Sequence, residues 1–68
     1  MVDVSELRGI IAKQGLSQRQ VAKSIGITEK TFYAKMERGV FKSNEIEQMI
    51  LVLDIKDPCR IFFAKDGT

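Results

Sequence analysis

The sequence predicts an all-α fold, a compact bundle of five short helices, from three observations. Apolar residues recur at helical spacing in successive segments, capping residues stand directly before those segments, and several segments are followed at once by a glycine. Strand-like alternation is poor throughout, and no repeat or low-complexity run interrupts the pattern. The 68 residues form a single domain, 1–68. A core of this size supplies only about 3–5 kcal/mol and often needs support. Cys59 is the only cysteine, which excludes an internal disulfide, and with no histidine present a zinc site is not expected. Good helix packing, or a partner, has to stabilise the chain.

The first three helices are set by local signals. Asp3, with Glu6 three residues on, has the spacing of a capping box that starts the first helix. Val4, Leu7, Ile10 and Ile11 form its apolar face, and Gly15 supplies a left-handed stop. Ser17 with Gln20 forms a second capping box, opening a helix that turns Val21 and Ala22 inward and stops at Gly26. Thr28 caps the third helix, with Phe32 and Met36 inward and Gly39 as terminator. One good cap contributes about 1 kcal/mol, so these starts are set locally as well as by packing.

The remaining chain is read the same way. Residues 39–42 are a connection, with Phe41 expected as a buried plug. Ser43 is the expected cap of the fourth helix, where Ile46, Met49, Ile50 and Leu53 fall at i, i+3, i+4 and i+7. Asp57 followed by Pro58 suits a cap with proline at the first helical position, opening a short fifth helix. Ile61, Phe62 and Phe63 are consecutive, so one helical face cannot bury all three. Some are expected to close the core while another forms a surface patch that a second copy could cover. Cys59 is expected as a buried or half-buried small hydrophobe. The tail, residues 65–68, is expected to fray.

No apolar run approaches the ~20 residues of a membrane span. Residues 1–6 are acidic where a signal peptide would be basic and then apolar, so a cytoplasmic location is expected. The net charge of +2 hides an asymmetry. Between Arg19 and Lys42, six cations (Arg19, Lys23, Lys30, Lys35, Arg38 and Lys42) face two acids, Glu29 and Glu37, a net of +4. The flanks carry five cations and seven acids, a net of −2. A basic centre between acidic flanks suits one face built for a polyanion, although an ordinary solvated surface has the same composition.

The informative stretch runs from Leu16-Ser17-Gln18-Arg19-Gln20 through Val21-Ala22-Lys23-Ser24 to Ile25-Gly26-Ile27-Thr28 and on to Phe32. Two short helices joined by a tight turn need a small residue at their crossing (Ala22), a left-handed residue in the turn (Gly26) and an apolar wedge between them. Val21, Ile25, Ile27 and Phe32 supply the wedge. The stretch resembles the helix-turn-helix of the lambda-repressor and Cro family of phage and bacterial regulators, with the motif core at about residues 17–38. Tyr33, Lys35-Met36, Phe41, Glu45-Ile46, Leu53 and Ile61-Phe62-Phe63 extend the likeness to the short phage-type members, over roughly residues 5–64. One departure is the end of the third helix, where many relatives carry an Ile and Glu pair and this chain has Lys35, Met36 and Glu37.

The resemblance implies a sequence-specific, double-stranded DNA-binding transcriptional regulator that acts as a homodimer, at least on DNA. It also implies roles for individual residues. Gln18 would contact phosphate and brace the third helix, while Thr28, Glu29, Lys30, Tyr33 and Ala34 would face the major groove. Lys30 can donate to guanine O6 or N7, and Glu29 can accept from cytosine N4. Arg19, Lys35, Arg38 and Lys42 would pair mostly with phosphates. Each role has a plainer counterpart: Lys30 as a solvated charge, Glu29 as an acid favouring a helix N-terminus, Tyr33 as a flank residue. The alternative function is a helix-turn-helix module that binds another protein, such as a repressor or a toxin. No small-molecule ligand or cofactor is expected, and without histidine, metal cluster or phosphate-cradling loop the chain is not expected to be an enzyme.

Overall fold

A computed structural model describes residues 2–63, so the tail expected to fray lies outside the described residues. Five helices follow one another: α1 (Val4–Lys13), α2 (Gln18–Ser24), α3 (Glu29–Arg38), α4 (Ser43–Val52) and α5 (Pro58–Phe62). No strand occurs among the described residues. None of these helices is long and apolar enough to cross a membrane.

The apolar stripes meet in one core. Phe32, Leu7, Met49, Leu53 and Val21 are its fully enclosed members, contributed by α3, α1, the end of α4, and α2. Helix α2 is the hub, packing on α3, α4 and α1, while α5 packs on α1. Phe41 closes the core from the α3–α4 connection, its ring centroid 5.6 Å from that of Phe32 in a tilted pair. The extended N-terminus is bound in as well. Val2 N–H donates to the Gly39 carbonyl at 3.1 Å and Asp3 N–H to that of Ile61 at 2.6 Å. Val2 and Ile55, which the periodicity left unassigned, are both buried.

The helix ends explain how so short a chain turns so often. Gly15 and Gly26 adopt φ of +73° and +82°, each just past a helix end. After α2, Gly26 N–H donates to Lys23 and Ile27 N–H to Ala22, the paired bonds of a Schellman stop. A Cβ at Gly26 would meet nothing within 4 Å, so backbone conformation rather than crowding requires glycine there. Helix α4 ends in the same way without glycine: Asp54 takes φ +51°, and Ile55 N–H reaches the Ile50 carbonyl at 3.0 Å.

Three local expectations are corrected. The capping box of α1 is only half made: Asp3 accepts from Glu6 N–H at 3.1 Å, but Asp3 N–H is already given to Ile61. Glu6 instead lies 3.7 Å from Arg60. The cap of α4 is Lys42, not Ser43, because Glu45 accepts the Lys42 N–H at 2.8 Å and fixes the helix start one residue earlier. Cys59 is exposed rather than half-buried, since Ile61 and Phe62 occupy the inward face of α5. That placement also resolves the aromatic triplet: Ile61 and Phe62 are core, and Phe63 is 60% exposed.

Candidate functional site

The site is built on α2, residues 25–28 and α3. The reciprocal box at α2 is complete, with Gln20 N–H donating to Ser17 Oγ at 3.1 Å and Ser17 N–H to Gln20 Oε1 at 2.8 Å. Ala22 is buried, as close packing of α2 on α3 requires. Thr28 caps α3 by accepting Thr31 N–H at 3.2 Å, and its own hydroxyl donates to Thr31 Oγ1. Inward, α3 commits Phe32 and Met36 to the core. Outward it presents Thr28, Lys30, Thr31, Tyr33, Ala34, Glu37 and Arg38, all exposed. Lys30, Ala34 and Arg38 follow at i, i+4 and i+8, so they form one row along that face.

The expected groove residues fall into two groups. Lys30 and Ala34 stand exposed with no side-chain partner among the described residues. Glu29, half-buried, is engaged: the Tyr33 hydroxyl donates to its Oε2 at 2.9 Å. That hydrogen bond, with burial and the Glu29 charge, holds the Tyr33 phenol above its ordinary pKa of 10.0.

The expected phosphate contacts divide in the same way. Gln18 is half-buried at the first position of α2 and makes no hydrogen bond to α3 among the described residues. Arg19, Arg38 and Lys42 are exposed, and none of their side chains forms an ion pair among the described residues. Lys35 differs from them. Its Nζ lies 2.7 Å from Glu45 Oε1 and 2.6 Å from Oε2, and Glu45 is only 4% exposed. Burial pushes the Glu45 carboxyl up, but the Lys35 and Lys42 hydrogen bonds and nearby charges together bring it below its ordinary value. The Lys35 charge therefore serves the α3–α4 junction. Glu45 was passed over in sequence as one more flank acid, because its partner lies ten residues away on another helix. Only its position three residues after Lys42 could have marked it.

Charge compensation follows this division. Among the described residues, ion pairs join Lys35 to Glu45, Lys56 to Asp54 and Arg60 to Glu6. The cations of α2 and of the outer side of α3 have no such partner among the described residues. An open groove between α1 and residues 53–61 is lined by Glu6, Lys13, Asp54, Lys56, Asp57 and Arg60, among others, and draws no residue from α2 or α3. No cluster of potential metal ligands occurs among the described residues.

Comparison with known proteins returns nothing to set beside this geometry: no protein-family model, no curated protein and no solved structure matches the chain. Any functional reading rests on the residues themselves.

Proposed function

We propose that α2, the turn at Gly26 and α3 form a helix-turn-helix that places α3 in the major groove of double-stranded DNA. The chain would act as a sequence-specific transcriptional regulator of the Cro-like or short-repressor type, as its resemblance to phage regulators implies. One observation carries the reading. The outer side of α3 presents Lys30, Ala34 and Arg38 in one row with Tyr33 beside it, and these cations form no ion pair among the described residues. Uncompensated cations give affinity for phosphate, and a small residue between two cations allows close approach to base edges. Arg19, Arg38 and Lys42 take the phosphate contacts, and Lys30 is the principal base reader. Such a regulator is a binding protein rather than an enzyme, working as a homodimer in the host cytoplasm.

A second reading, a helix-turn-helix that binds a protein partner, is favoured by Glu29 and Glu37 on the same helix, where acids repel phosphate. Selection of bound duplexes from random DNA separates the two. The expected result is a pseudo-palindromic consensus, with Lys30→Ala losing discrimination at one defined position per half-site, worth about 1–3 kcal/mol. Folded protein that enriches no sequence would overturn DNA reading and leave the protein-binding module.

A further inference from the structure

Lys30 has Tyr33 and Ala34 as its i+3 and i+4 neighbours, so the three side chains make a triangle on the outer side of α3. Two of its corners are apolar. Ala34 offers a methyl group. Tyr33 has one hydroxyl proton, and the hydrogen bond to Glu29 Oε2 uses it, which leaves mainly ring surface, on a side chain 48% exposed, to face a ligand. Glu29 has one oxygen occupied by that bond and is half-buried against the body of the domain.

We infer, resting on the DNA-binding reading above, that Tyr33 and Ala34 recognise the 5-methyl group of a thymine beside the base that Lys30 contacts, and that Glu29 positions the Tyr33 ring rather than reading cytosine. The major-groove edge of thymine is distinguished by this methyl, and apolar side chains are its natural complement. The cation at the third corner suits guanine O6 and N7, so the triangle as a whole fits a guanine next to a thymine. Placing the Tyr33 ring against a methyl removes one buried carbon's worth of apolar surface from water, an effect of about 3–10-fold in affinity. The arrangement also answers the part of the objection from charge that concerns Glu29, which is held by its bond to Tyr33, while Glu37 stays exposed.

The test uses the full chain and the duplex recovered by selection, with each thymine replaced in turn by deoxyuridine, which lacks only the methyl. One thymine per half-site should lose about 3–10-fold in affinity on replacement. Tyr33→Ala should lose most of the difference between thymine and uracil duplexes at that position, with circular dichroism confirming its helicity. Glu29→Ala should shrink the uracil effect while leaving base preference at every cytosine unchanged. A consensus without thymine, or uracil tolerated everywhere, overturns the inference while DNA binding stands. A cytosine preference lost in Glu29→Ala overturns the positioning role. Failure to enrich any duplex overturns the DNA-binding reading and this inference together.

Discussion

Tyr33 is the only tyrosine, and the chain has no tryptophan, so its ionisation can be followed by absorbance without interference. Ionising the phenol would break its hydrogen bond to Glu29 and bring two negative charges together, which is why its pKa stands above 10.0. Glu29→Gln removes the charge, so the variant's phenolate should appear at lower pH than the wild type's. Coincident titration curves would mean that the contact does not form in solution. The i, i+4 spacing of Glu29 and Tyr33 is visible in the sequence and permits this pairing. Sequence reasoning nevertheless sent Glu29 toward a base, because spacing does not say which of two possible partners a carboxylate takes. Lys35 shows the same limit: as a residue type it suits phosphate, and only packing reveals that Glu45 holds it.

At the scale of elements, the Lys35–Glu45 pair joins α3 to the start of α4, and Lys42 N–H completes the carboxylate's bonding. Removing one partner of a buried pair leaves the other desolvated and uncompensated. Lys35→Ala should therefore cost about 2–3 kcal/mol at neutral pH, read from denaturant unfolding. The sign of its pH dependence follows from Glu45. A carboxyl held below its unfolded value of 4.5 adds stability above that pH, and the contribution is lost as pH falls through the folded value. The Lys35→Ala penalty should thus shrink as pH is lowered below about 4.5. A penalty constant from neutral to acid would show that the ion pair does not stabilise the junction. The caps at Ser17 and Thr28 were legible because both partners lie within one turn. The box at Asp3 was half right because the distant Ile61 carbonyl takes its N–H. The α4 cap was placed one residue late, at Ser43, because lysine is not a capping type and the bond runs from its backbone N–H to Glu45.

For the whole molecule, the open question in the sequence was where the aromatic triplet points. Phe63 stands beside the exposed Val40, on a shallow apolar groove that Ile46 and Phe62 also line. The domain measures 33 × 22 × 19 Å. In the homodimer proposed above, two copies of this size could set their α3 helices about one turn of DNA, roughly 34 Å, apart. Phe63→Asp should leave helicity and stability within about 0.5 kcal/mol of wild type, as for an exposed site, and weaken self-association in sedimentation. Loss of the fold would place Phe63 in the core, and unchanged self-association would move the dimer contact elsewhere.

The sequence by itself determined the helices, the starts of α2 and α3, the left-handed glycine stops and most of the core, since all of these follow from periodicity and from bonds within a single turn. It also placed the residues that line the outer side of α3, because burying Phe32 and Met36 leaves Lys30, Ala34 and Arg38 no other side to occupy. Only the tertiary structure decided which charges are spent inside the protein and which remain for a partner. Lys35 and Arg38 are alike as residues and lie three positions apart. One meets a buried carboxylate from the start of α4 and the other meets none among the described residues, a difference that exists only once the fold brings Glu45 beside α3.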